Sequence, residues 1–271
     1  MPSASGSHNA AARPHRRAPL FVWRVLLLVA TFLAWYALTE TGVLPPFFFG
    51  RPLAVLGRVW DWFASGKIYP HLGITLVETV LAFAIGTLLG VAAGLWLGLS
   101  ATAAALLDPY IKAANAMPRV ILAPIFAVWF GLGVASKVAL GITLVFFIVF
   151  FNVLQGVREV SPVVLASVRM LGATRRQLLR HVYLPSATSW VFSSLHTSVG
   201  MAFVGAVVGE YLGSAAGVGY LILQAEGTFD INSVFAGILV LTAFALLLDL
   251  AVTRAERHLL VWHPRARADE R

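Results

Sequence analysis

The chain has 271 residues, 59% of them hydrophobic and only 12% charged, with a formal charge of +8 and no cysteine. Its charge density is about half that of a soluble domain, which excludes an ordinary soluble fold and points to a polytopic all-α membrane protein. Disulfides and thiolate metal sites are excluded too, and the basic excess lies in loops between apolar segments with no nucleic-acid module, so topology accounts for it better than nucleic acid.

Residues 1–19 are rich in Ala, Ser, Pro and basic side chains and have too little apolar surface to pack, so a disordered tail is expected. A crossing needs about 20 apolar residues. Segments near 20–39, 72–100, 118–135, 137–156, 187–209 and 231–253 qualify, giving about six transmembrane helices. Arg13, Arg16 and Arg17 precede the first, but no small-x-small cleavage site follows it, so it is read as a retained anchor. Residues 40–71 then form an external segment, 72–256 the membrane core and 257–271 a second tail.

With the N-terminus inside, 16 of the 20 Lys and Arg residues, Arg119 among them, fall on the cytoplasmic side, leaving Arg51, Arg58, Lys67 and Lys137 outside. That asymmetry fits a bacterial inner-membrane protein with both termini in the cytoplasm.

Gly86, Gly90, Gly94 and Gly98 recur every four residues on the second span, a seam that lets a neighbouring helix or a second copy approach closely. The third span is flanked by Pro118 and Pro124 and ends in Gly131-Leu132-Gly133, so it is expected to be short, kinked or only partly crossing. Irregular backbone at that depth either lines a wet pathway or is buried in the bundle.

The ionisable residues in or near the spans are Glu78, His196, Glu210 and Asp249. A charge at the bilayer centre costs at least about 2.5–3.5 kcal/mol on insertion scales, so these groups should face protein or water. Glu78, Asn152, His196 and Glu210 are taken as pathway or gating candidates, and Asp249 as a structural group that pairs with Arg254 or reaches the interface. No His-Glu-x-x-His or Gly-x-Ser-x-Gly occurs, and Gly66-Lys67 is followed by Ile68 with Asp61 at the first glycine position. Zinc, serine-nucleophile and P-loop chemistry therefore lack their frameworks, and neither catalytic nor metal-binding residues are assigned.

Between the fourth and fifth spans lies a basic loop, residues 158–185. Ser161 is placed to cap a first helix with Pro162 at its first position. Gly172 suits a left-handed helix end, and Thr174 with Gln177 has capping-box spacing for a second helix ending at Leu184-Pro185. Val164, Leu165, Val168 and Leu171 share a stripe on the first helix, while Arg175, Arg176, Arg180 and His181 sit on the second. Such a unit reads as a docking element; the plainer alternative is a juxtamembrane loop held against anionic lipid headgroups.

Gly172, Val182, Leu184 and Pro185 stand at the spacing of the signature of ATP-binding-cassette importer permeases, which the chain resembles. The signature's Glu-Ala-Ala reads Ala166-Ser167-Val168 here, so its acidic residue is absent and apolar contacts and arginines are left to hold the joint. Met117-Pro118, Trp129-Phe130-Gly131-Leu132-Gly133, Phe151-Asn152 and Gly217-Val218-Gly219-Tyr220 extend the resemblance to the nitrate, sulfonate and taurine branch over roughly residues 40–262. The resemblance implies a type I importer permease fold with a cytoplasmic coupling helix and a homodimeric pore. It also implies two cytoplasmic ATPase subunits that carry the ATP and Mg, and an external solute-binding protein. Ala166, Ser167, Arg169, Gly172, Ala173, Arg175, Arg176, Leu184 and Pro185 would form the ATPase-coupling loop. A sulfonate-like or nitrate-like anion is the implied solute, with small heterocycles carried by similar permeases. A secondary transporter is the competing reading.

Overall fold

The computed structural model describes residues 18–259. Of the two tails expected at 1–19 and 257–271, residues 1–17 and 260–271 lie outside it. The described residues form helices joined by short turns, without a strand. The described residues divide into two compact units, one ending at Ala54 and the other beginning at Val55.

The first unit holds α1 (Ala18–Glu40) and the single-turn α2 (Pro46–Phe49). The Trp35 indole donates to the Phe49 carbonyl at 3.2 Å, tying the turn back to the helix. α3 (Pro52–Ala64) starts at the unit boundary.

The second unit is built on α4 (Ile68–Leu99), α7 (Val134–Arg158) and α10 (Leu184–Leu212). A Cβ at Gly86, Gly90, Gly94 or Gly98 would stand 2.8–2.9 Å from the Cβ of Val145, Val149, Val153 or Val157 respectively. Both series advance by four, so α4 and α7 run parallel with backbones in near contact. The glycine seam is therefore an internal packing seam. α10 runs against both: Gly156 meets Ala187 and Trp190, Gly205 meets Gly141, and Gly209 meets Lys137. Ala82, Ala187, Ala202 and the four valines make the core between the three helices.

Between α4 and α7 the chain forms α5 (Ala101–Ala116), a 3-10 turn (Arg119–Ile121) and α6 (Leu122–Phe130). The Ser100 hydroxyl accepts from Ala103 N at 3.3 Å and starts α5. Pro118 ends it, because the residue before a proline avoids the helical region and Met117 is extended, with ψ 133°. The two helices bend by 75° at this break. The third crossing expected over 118–135 thus begins instead at residue 101, since the nine residues of α6 are too few to cross. Among the described residues, five helices are long and apolar enough to span, or six with the bent pair as one.

α8 (Pro162–Met170) and the single turn α9 (Arg175–Leu178) follow α7. A π-helical segment, Leu179–Tyr183, then carries the chain into α10 without interruption. Leu184-Pro185 is consequently no break. The wide turn absorbs the missing proline N–H, and a single helical run extends from Arg175 to Leu212. α11 (Val218–Gly227) and α12 (Ile231–Leu259) complete the unit.

Because α4 and α7 are parallel and α10 opposes them, the bundle has two distinct ends. The starts of α4 and α7, the finish of α10 and α11 gather at one; α8 and α9 lie at the other. About 32 Å of α7 separates Lys137 from Arg158, at about 1.5 Å per residue.

Candidate functional site

At the α8 end, Gly172 adopts φ +80°, the left-handed turn its position requires, and nothing lies within 4 Å of where a Cβ would be. Its N–H donates to the Arg169 carbonyl at 3.0 Å and Ala173 N to the Val168 carbonyl at 3.3 Å, which closes α8. The capping box is present: Thr174 Oγ1 accepts from Gln177 N at 3.3 Å, and Gln177 Oε1 from Thr174 N at 2.8 Å. Ser161 departs from expectation. Its side chain makes no cap, and its carbonyl instead accepts from Leu165 N at 3.1 Å.

No residue of α8 is buried. Ala166, Ser167, Arg169, Gly172, Arg175, Arg176 and Pro185 are exposed, while Ala173 and Leu184 are half-buried. The Ser167 hydroxyl donates back to the Val163 carbonyl at 2.9 Å, leaving the outer surface to other side chains. Met170 and Leu171 are 81% and 87% exposed beside Arg169, so apolar and cationic groups share one projecting surface. The segment is fastened to the core where the Ser186 hydroxyl donates to the Gly156 carbonyl at 2.7 Å.

At the α11 end the structure brings together Glu78 and Glu210, with Lys137, all at most 1% exposed. The two carboxyls meet, and Lys137 interacts electrostatically with both. The Lys137 ammonium also donates to the Leu132 carbonyl at 2.5 Å. Glu210 accepts from the Thr75 hydroxyl at 2.6 Å and from Gly219 N at 2.7 Å, so its carboxyl sits at the N-terminus of α11. Gly217 N donates to His71 Nδ1 at 3.1 Å. Gly217 has φ +105°, and a Cβ there would collide with the Glu210 carboxyl, so a side chain is excluded twice over. The second oxygen of Glu78 is buried without a hydrogen-bond partner.

Asn152 and His196 do not join this group. Asn152 donates to Ile148 O, one turn back in its own helix, at 2.8 Å. His196 bridges α10 to α12, with Nδ1 2.9 Å from Asp249 and Nε2 2.8 Å from Glu256. Asp249 thus pairs with His196 rather than Arg254, because antiparallel packing sets the histidine opposite it.

Sequence reasoning missed Thr75, His71 and Lys137. A lysine in the first turn of an apolar span was the available signal for Lys137. It also placed Arg119 among the basic residues beyond one end of the bundle; the structure places that residue in the turn between α5 and α6, its guanidinium 4.4 Å over the Phe147 ring midway along α7. Arg119 is deep because α5 has already climbed along the bundle, with Leu107 and Ile111 packed on the cluster of Leu97, Phe150 and Leu154 from α4 and α7.

Asp230 caps α12, accepting from the Ser233 hydroxyl at 2.6 Å and its N–H at 3.2 Å, and pairs with Arg58 at 3.2 Å. Partial desolvation pushes its pKa up, but the Ser233 bonds and the Arg58 charge outweigh this and hold the carboxyl below its ordinary value. Glu226 receives the Tyr211 hydroxyl. The three acids of segment 210–230 are therefore each engaged by a partner.

Among curated proteins, the chain is 32% identical to the putative aliphatic sulfonates transport permease SsuC of Bacillus subtilis, over 88% of this chain and 86% of that one. It is 29% identical to the taurine transport permease TauC of Escherichia coli, covering 87% and 88%. It is also 30% identical to the riboflavin transport permease RibX of Chloroflexus aurantiacus, covering 89% and 92%. Among solved structures, the inward-facing MetNI methionine ABC transporter shares the fold, with a TM-score of 0.60 over 69% of this chain and 94% of that one at 18% identity. The family described as binding-protein-dependent transport system inner membrane component matches residues 86–261. With that match spanning most of the bundle, the chain belongs to this family and is a permease subunit of an ABC importer.

Proposed function

We propose that two copies of this chain enclose the translocation pathway of an importer for a small organic anion of the sulfonate class. In this reading the termini and α8 face the cytoplasm and α11 faces outward, the orientation that the distribution of Lys and Arg favours. α8 and the arginines of α9 dock a separate ATPase subunit, which binds ATP and Mg and hydrolyses ATP; this chain binds no cofactor. A solute-binding protein delivers solute at the α11 end.

The observation that carries the reading is the projecting surface of α8, where Met170 and Leu171 stand exposed next to Arg169. A second helical surface would bury the apolar pair, and acidic groups would meet the arginines. Motion imposed there reaches Glu210 through the continuous run from Arg175 to Leu212, so ATPase closure can be passed to the far end as a rigid-body shift. The solute class rests on the sulfonate and taurine relatives. A small heterocycle is the second reading, favoured by the riboflavin relative.

The chain has no cysteine, so a single introduced thiol reports without background. Ser167→Cys, on the exposed face of α8, is expected to cross-link to the co-expressed ATPase in membranes, with nucleotide changing the yield. Cross-linking to lipid-directed reagents alone, and none to the ATPase, would return α8 to a lipid-facing role.

A further inference from the structure

We propose that Arg119 is the solute-selecting residue of the pathway, a cation held at mid-depth to contact the anionic group of the transported solute. The inference rests on the sulfonate reading above and gives it a residue. Arg119 lies at the only bend among the described spans, in a turn between two helices that break by 75°. Phe147, under the guanidinium, is thirteen residues from the start of α7 and eleven from its end, which places the charge about 20 Å from one end and about 16 Å from the other.

A cation at that depth is costly and is kept where it does something. Arg119 forms no salt bridge with any described carboxylate. Its Nη2 donates to Asn115 O at 3.1 Å and Asn115 Oδ1 at 2.5 Å, both on the finish of α5, and its Nε is buried with no partner. The nearest charged groups along α5, Lys112 and Asp108, are 2.6 Å apart and cancel each other. The net charge of the break is therefore +1, carried by Arg119.

The neighbours hold the guanidinium without neutralising it. A ring face supports one side of the plane, and two carbonyl oxygens of one asparagine fix the edge that carries Nη2. With Nη2 held by Asn115 and Nε buried, the uncompensated charge is what the guanidinium offers a sulfonate or carboxylate oxygen, a charge-assisted contact that a neutral heterocycle cannot match. The neighbouring Pro118 contributes no N–H, and the extended Met117 leaves the backbone of the break open for solute to approach. Exposed Met117, Val120 and Ile121 supply an apolar border suited to an alkyl tail.

The test uses the complete importer in proteoliposomes: permease, ATPase and binding protein, with ethanesulfonate and riboflavin as probes. Wild type, Arg119→Lys and Arg119→Gln are compared for uptake, recovered complex and the ATPase rate stimulated by loaded binding protein. The expected result is ethanesulfonate uptake reduced about tenfold or more in Arg119→Gln, with complex recovery and stimulated ATPase unchanged and partial recovery in Arg119→Lys. Ethanesulfonate uptake equal to wild type in Arg119→Gln would overturn the role of Arg119 while leaving the sulfonate reading intact. Parallel loss of complex, ATPase and uptake in both variants would also overturn it, making the residue a staple of the α5–α6 turn. Uptake of riboflavin but not ethanesulfonate by the wild type would overturn the solute reading itself.

Discussion

The Thr75 hydroxyl on α4 donates to Glu210 on α10 at 2.6 Å while its oxygen accepts from Val218 N on α11 at 3.2 Å. One hydroxyl thus joins three helices at one end of the bundle, and it does so fully buried. Removing it leaves a buried carboxylate oxygen and a buried N–H without these partners, each costing about 1–3 kcal/mol. Thr75→Val, nearly isosteric, is expected to lower Tm in detergent by several degrees, at about 2–4 °C per kcal/mol. Thr75→Ser should retain most of the stability.

The glycine seam makes a paired prediction. A Cβ at Gly94 would lie 2.8 Å from the Val153 Cβ and 2.9 Å from the Phe150 carbonyl, and the backbone oxygen cannot move aside cheaply. Gly94→Ala is expected to cost about 1–3 kcal/mol by overpacking. Gly73, on the same helix with nothing within 4 Å, should tolerate alanine or gain up to about 1 kcal/mol. Thermal unfolding of the two variants separates packing from composition.

At Gly172 the constraint is conformational. With φ +80° and open space around it, the position penalises β-branched residues through the backbone alone, by about 1–2 kcal/mol. Gly172→Val is expected to weaken ATPase association and uptake, and Gly172→Asn, which tolerates the left-handed region, to keep most of both. Pull-down yield of the ATPase measures the difference.

Asp230 predicts a pH dependence. Its carboxyl is held below the ordinary value by Ser233 and Arg58 acting against partial desolvation. A depressed carboxylate contributes stability that is complete above the unfolded value, about 3.9. That contribution is lost as pH falls through the lower folded value. Asp230→Asn should therefore be less stable than wild type near neutrality, with the gap narrowing below about pH 4. Unfolding midpoints across that range check the sign.

Much of the bundle is legible in the sequence because its signals are local. The apolar spans, the Gly86 to Gly98 repeat, the left-handed Gly172 and the Thr174–Gln177 box each lie within one element or turn. What the sequence conceals depends on register between elements. Glu78 and Glu210 stand 132 residues apart, and only the parallel packing of α4 with α7 and the reversal of α10 brings them to Lys137. The same holds for His196 with Asp249 and for the depth of Arg119, which follows from α5 rising along the bundle. Pro185 misled because proline ordinarily interrupts a helix, and the π-turn before it avoids the clash.

On the proposed function, this permease works only as part of an ATP-driven assembly docked at α8. This is tested most directly by purifying the chain from its native membrane, identifying its partners and measuring ATPase activity with and without the solute-binding protein. The expected result is a stoichiometric P-loop partner whose hydrolysis the loaded binding protein stimulates. Recovery of the chain without such a partner, together with uptake driven by an ion gradient, would contradict it and make the protein a secondary transporter.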